Sequence, residues 1–123
     1  MTLLNCNRWP DHVKPSTFEI PVVAKNQLTG DPLNITGYDY RVIVQKELDG
    51  SESDYEIDFT HTVGDNVKDS GVDGIAFPTI ESDGQGSLTA GDKYVTVIRT
   101  IPATSPANIK VMGPFRWRVS LGY

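Results

Sequence analysis

Two histidines (His12 and His61), one thiol (Cys6) and a series of closely spaced carboxylates are the groups of this chain with the chemistry to catalyse or to hold a metal. Nucleophilic catalysis needs a hydroxyl or thiol beside a general base. Neither histidine lies near a Gly-x-Ser-x-Gly elbow or a comparable setting. Nothing around Cys6 marks it as a reactive thiolate. Both histidines read as surface residues at strand ends.

Paired carboxylates do glycosidase work when two of them flank a scissile bond. Here Glu56 and Asp58 alternate with apolar residues, and Glu52 and Asp54 belong to the preceding turn. Such alternation is what the solvated face of a sheet requires. Asp65, Asp69 and Asp73 form a weak calcium candidate in a loop with two glycines. Calcium takes six to eight oxygens, yet Lys68 sits among the three aspartates and the alternating acids of a helix–loop–helix calcium site are missing. No His/Cys set with zinc spacing is present. The chain is therefore expected to be no enzyme and to carry no cofactor and no resident metal.

The elements around these residues read as strands. At 123 residues the chain fits one domain that can bury a core without disulfides, and its single cysteine forms no intrachain pair. Eleven glycines and eight prolines are spread as turn punctuation, which favours short strands over helices. Residues 1–15 hold Pro10 and Pro15 and show no period, so they read as an irregular N-terminal arm ahead of a domain over 16–123. Thr17–Lys25 places Phe18, Ile20, Val22 and Ala24 on one face, with Pro21 demoting it to an edge. Tyr38–Lys46 and Tyr55–His61 make a hairpin, with Tyr40, Val42, Val44, Tyr55, Ile57 and Phe59 facing in and Glu56, Asp58 and Thr60 facing out. Short strands follow at Ile75–Phe77 and Ser87–Thr89. Lys93–Ile101 has apolar residues on both faces, Ile109–Met112 is short, and Phe115–Leu121 closes the sheet. Phe115, Trp117 and Val119 share a face there, which makes Trp117 a core residue rather than a ligand platform. These elements predict an all-β fold: a single compact antiparallel β-sandwich of about seven to eight short strands.

Charge is unevenly placed. Residues 47–92 hold twelve acids and one base, whereas the rest of the chain holds four acids and ten bases. The acidic middle reads as solvated loops, and the basic ends suit an acidic partner, including the acidic middle of another copy. A net charge of −5 disfavours nucleic acid. No window approaches the length of a membrane-spanning helix. The Met1–Cys6 stretch lacks the basic leader and apolar run of a signal peptide. The protein is expected to fold in a cytosol.

Three stretches carry a resemblance. Asn34–Val44 (NITGYDYRVIV) resembles the Gly-turn and alternating-strand opening of the N-terminal domain of phage baseplate upper proteins. Gly84–Ile98 looks like that domain's later "G-x-y-x-y-x-i" strand, and Val111–Val119 (VMGPFRWRV) is similar to its closing "G-x-f-x-V". The resemblance spans roughly residues 17–121. It implies an Ig-like sandwich with a non-enzymatic, structural role in a tailed-phage virion, as a tail or baseplate adaptor, collar or head decoration. It also implies synthesis in a host cytoplasm, and other virion proteins and copies of itself as partners. The arm residues Arg8, Trp9 and His12 are the expected interface. The alternative is a carbohydrate-binding or host-recognition module that stacks sugars on exposed members of the set Trp9, Tyr38, Tyr40, Tyr55, Tyr94, Trp117 and Tyr123.

Overall fold

Alternating side chains dominate the architecture. The structure, a computed structural model, describes residues 2–3, 12–14, 17–47, 54–81, 88–101 and 108–121. Its strands are β1 (Thr2–Leu3), β2 (His12–Lys14), β3 (Phe18–Glu19), β4 (Val22–Val23), β5 (Asp39–Gln45) and β6 (Tyr55–Thr62). They continue with β7 (Ile75–Ala76), β8 (Thr79–Ile80), β9 (Gly91–Ile101) and β10 (Asn108–Leu121), and a short 3-10 turn at Gly71–Asp73 precedes β7. The protein is an all-β, sandwich-like fold.

The larger layer is a five-stranded sheet in the order β2-β10-β9-β5-β6. Its inner face presents Tyr40, Val42 and Val44 of β5, Ile57 of β6, Val95 and Val97 of β9, and Trp117 and Val119 of β10. The smaller layer supplies Ile20, Val22, Ala24, Ala76 and Ile80, and Ile35, Val63 and Leu88 fill in from connections. All belong to one buried cluster. At about 25 cal/mol per Å² of apolar area removed from water, this is the dominant stabilising term.

The smaller layer is a long ladder cut by prolines, with β1 pairing antiparallel on the other side of β4 (Leu3 with Val22). β3 pairs antiparallel with β8 (Phe18 with Ile80), and β4 pairs antiparallel with β7 (Val22 with Ala76). Between them the Ile20 N–H donates to the Pro78 carbonyl at 2.8 Å, and beyond them the Ala24 N–H donates to Gly74 at 2.8 Å. The register is continuous from Phe18 to Ala24. Pro21 and Pro78 have no N–H to give, so the regular pattern lapses where they stand. The sequence reading ended the Ile75–Phe77 strand at Pro78; the chain resumes pairing at Thr79.

Three expectations are corrected. The arm expected to be irregular is strand at Thr2–Leu3 and His12–Lys14. β2 runs parallel to β10, with His12 opposite Val119, so the sandwich is not purely antiparallel. Parallel neighbours need a long crossover, and β2 and β10 have most of the chain between them. The two closing strands expected at Ile109–Met112 and Phe115–Leu121 are one 14-residue strand. A bulge between Met112 and Phe115, with a cis Gly113–Pro114 peptide, shifts its register on β9 by one residue. That shift keeps both Met112 and Phe115 against the core.

Gly74 sits where the 3-10 turn feeds β7. It adopts φ 72°. A Cβ there would lie 2.3 Å from the Ala24 carbonyl oxygen and 2.8 Å from that of Leu33. Both the backbone angle and the space require glycine. Gly74→Ala is expected to cost about 2 kcal/mol or more in urea denaturation, because the Ala24 carbonyl, held by the Leu33 N–H, cannot retreat without disturbing the ladder.

Candidate interaction surface

The loop expected to be a calcium candidate is built around a buried carboxylate. The Asp69 side chain is 0% exposed. Its Oδ2 accepts hydrogen bonds from the Gly64 N–H (2.9 Å) and the Asn66 N–H (3.3 Å), and Oδ1 accepts from the Phe77 N–H (2.7 Å). His61 Nε2 stands 2.7 Å from Oδ2. An ionised carboxylate only accepts, so Nε2 carries the hydrogen. Burial pushes the Asp69 pKa up, but the N–H donors of Gly64, Phe77, His61 and Asn66 outweigh it and hold the carboxyl below its ordinary value. Asn66 extends the clasp, with its Nδ2 donating to the Phe77 carbonyl (3.1 Å) and to Thr79 Oγ1 (3.2 Å).

This environment is made of donors, the opposite of what a cation needs. Asp65 turns instead to the Thr62 N–H (3.3 Å), and Asp73 accepts from Ser70 Oγ (2.6 Å). The structure therefore does not bring Asp65, Asp69 and Asp73 to a common point. Among the described residues no group of three or more His, Cys, Asp or Glu could hold a metal ion. The His61–Asp69 pair has the form of the rear half of a hydrolytic triad. Among the described residues, no hydroxyl or thiol bonds the other ring nitrogen of His61. The pair acts as a clasp that joins β6 of the large sheet to Phe77, between β7 and β8 of the small one.

A second buried pair includes Glu56, expected to face solvent. Glu56 leaves the outward pattern of β6 because a bulge separates the Val44–Ile57 and Gln45–Tyr55 pairs. Its side chain, 6% exposed, meets Lys93 Nζ, 2% exposed, at 2.9 Å. Thr89 Oγ1 donates to Glu56 Oε2 at 2.7 Å and accepts from Lys93 Nζ. Burial raises the Glu56 pKa, and the bonds from Lys93 and Thr89 more than reverse it, leaving a net lowering. Lys93 shares the inward parity of Val95 and Val97. A lysine at that parity demands a buried acid, and this was the available signal.

Both histidines are buried, correcting their reading as surface groups. His12 is 3% exposed. Its ring stacks on Trp117 with centroids 5.0 Å apart and meets Phe18 edge-on at 5.4 Å. Sitting inside the sheet, it is not a surface anchor as expected. Arg8 and Trp9, its expected companions, lie outside the described residues. Trp117 is core, as read, at 1% exposure. Tyr40 is buried too, and burial pushes its phenol up to about 12. The sugar-stacking set thus loses two members to the core. Tyr38, Tyr55 and Tyr94 are half-buried, and Trp9 and Tyr123 lie outside the described residues.

Leu28, Val67 and Val72 are exposed singly in connections, whereas the outer face of β9 and β10 exposes apolar area on regular strands. Ile109 and Val111 are each 61% exposed and stand opposite Thr100 and Ile98. Farther along the same face Arg116 lies opposite Tyr94, and Arg118 reaches Asp92 at 3.2 Å. Asp92, Tyr94, Arg116 and Arg118 line a depression of about 360 Å³. The face combines an apolar strip with guanidinium groups, and sequence reasoning did not single it out because alternation alone does not say which face lacks a cover.

Two predictions follow from the buried pairs. The lowered pKa of Asp69 means that its contribution to stability is complete above the unfolded carboxyl value, about 3.9, and is lost as pH falls through the folded value. Asp69→Asn is expected to flatten that acid limb and to cost about 3 kcal/mol at neutral pH, measured by urea melts from about pH 2 to 7. Glu56→Ala is expected to cost about 3–5 kcal/mol by stranding Lys93, and Glu56→Leu with Lys93→Met to recover most of it; a double mutant no better than the single one would contradict this.

Compared with known proteins, the chain matches no family model, no curated protein and no solved structure.

Proposed function

We propose that the protein is a non-enzymatic structural component of a tailed-phage virion, an adaptor, collar or decoration subunit that works by docking on other virion proteins and on copies of itself. The observation that carries the docking part is the outer face of β10. Ile109 and Val111 keep most of their surface in water, although a protein of this size gains stability by burying such groups. Arg116 and Arg118 on the same strand provide charge that steers and orients an acidic partner. A sheet face with an apolar strip and a basic end is suited to subunit contacts. The virion part of the proposal rests on the resemblance of Asn34–Val44, Gly84–Ile98 and Val111–Val119 to phage baseplate upper domains.

The test is made on particles. Antibody raised against the protein is expected to label virions produced by cells that carry the gene, at a fixed position in electron micrographs. Val111→Asp is expected to keep the wild-type melting curve, because the residue faces solvent, yet to be absent from purified particles. Purified particles without the wild-type protein would overturn the reading.

A further inference from the structure

We propose that the free edge of β6 is a homodimer interface, in which two copies pair antiparallel through Asp58 and Thr60 about a two-fold axis at Phe59. The proposal deepens the assembly reading by naming a second copy as the partner, and it uses a sheet edge rather than the β10 face.

β6 ends the five-stranded sheet, so among the described residues one side of its backbone has no neighbouring strand. The ladder on its other side fixes which groups are free. The Val63 N–H donates to the Tyr38 carbonyl at 2.9 Å. The pairs His61–Tyr40, Phe59–Val42 and Ile57–Val44 follow at two-residue steps. In an antiparallel pair the bonded positions alternate. Odd-numbered residues of β6 therefore bond to β5, and Asp58, Thr60 and Thr62 turn their N–H and C=O groups outward. The Thr62 N–H already has Asp65 Oδ2 at 3.3 Å. Asp58 and Thr60 leave donors and acceptors at the open edge. Beneath them lies a groove of about 480 Å³, lined by Ile57 and Phe59 of β6 and by Thr79, Ile80 and Glu81 across it.

Parity restricts how a second β6 can add. Only even-numbered residues can face one another in bonded pairs. A register centred on Asp58 sets two carboxylates directly opposite, which is unfavourable. A register centred on Thr60 pairs Asp58 with Thr62, whose N–H is engaged. The register centred on Phe59 pairs Asp58 of each copy with Thr60 of the other, and each pair exchanges both of its bonds. It also places Phe59 against Phe59 at the closely spaced, non-bonded position, where aromatic pairs gain most. The Asp58 charge is already answered within its own chain. Arg41 Nε and Nη2 grip its two oxygens at 2.8 and 2.6 Å and hold its pKa below the ordinary value.

The edge is bounded at both ends. The bulge beside Tyr55 turns Glu56 inward at one end, and the chain leaves the sheet after Thr62 at the other. Such bounded edges pair once and close rather than propagate. Glu81 lines this groove and Asp65 lines the adjoining depression beside Phe59 and Thr60, so their repulsion between copies is expected to make the dimer tighten as salt screens it.

Sedimentation of the full chain from about 1 μM to about 1 mM tests the proposal, over a range that spans weak specific dimers. The wild type is expected to dimerise reversibly. Thr60→Pro removes only an outward N–H and is expected to weaken the dimer about tenfold or more. In a Cys6→Ser background, Phe59→Cys is expected to oxidise to a disulfide-linked dimer, since Cα atoms at that position would stand about 4.5 Å apart. Ile57→Cys, opposite His61, is expected not to. The cysteine pair decides the matter if Thr60→Pro does not fold. A wild type that stays monomeric, a folded Thr60→Pro that dimerises undiminished, or a cross-link at position 57 instead of 59 would overturn the proposal. A dimer in solution with no label on virions keeps this interface and removes the virion reading; labelled virions with a monomeric protein do the reverse.

Discussion

The carboxylate of Asp69 is the point on which the two layers of this protein depend. It takes three backbone N–H groups and the ring of His61, and those donors come from both sides of the fold. His61 belongs to β6 at the edge of the large sheet, whereas Phe77 lies between β7 and β8 of the small one. Backbone groups in a tight connection would otherwise be buried without partners, at a cost of about 1–3 kcal/mol each. One ionised side chain satisfies several of them together. The loop after β6 can therefore be compact without regular structure, and the prolines at 21 and 78 can interrupt the small layer without separating it from the large one.

The second buried charge, the Lys93–Glu56 pair with Thr89, has a different role. Buried ion pairs add little net stability over an apolar replacement, because desolvation offsets the attraction. Their value lies in the register they enforce. Glu56 reaches Lys93 only because a bulge turns it inward, and the same bulge ends regular pairing at the start of β6. Core packing beside it is aromatic: His12, Phe18 and Trp117 form a contiguous set that ties β2 and β3 to β10. The N-terminal segment is thereby part of the sandwich at His12, where its imidazole serves packing.

Legibility in the sequence followed periodicity. The hairpin of β5 and β6, the long β9 and the inward Trp117 were all readable, because alternation reports which side chains share a face. The inward set Tyr40, Val42 and Val44 is buried as its pattern implied. Glu56 and Asp58 looked alike by the same rule, yet only Asp58 faces outward; a one-residue bulge is invisible to a two-residue period. Asp65, Asp69 and Asp73 looked alike as oxygen donors. Which of them is buried depends on where the Gly64, Asn66 and Phe77 N–H groups point, and backbone direction in a loop is not encoded by residue type alone. The apolar strip at Ile109 and Val111 was hidden for a related reason, since a strand with apolar residues on both faces does not declare which face the domain leaves uncovered.

By itself the sequence determined the class of fold and the main strands, because hydrophobic alternation and the placement of glycine and proline are local properties. Tertiary structure decided everything that depends on partners distant in the chain. It placed β2 parallel to β10, since no turn dictates that pairing. It put His12 and His61 in the interior, because an imidazole is small and amphipathic enough to be buried wherever a ring or a carboxylate receives it. It also selected Asp69 over its neighbours as the clasp, for only the assembled loop brings several N–H donors within hydrogen-bond reach of one carboxylate.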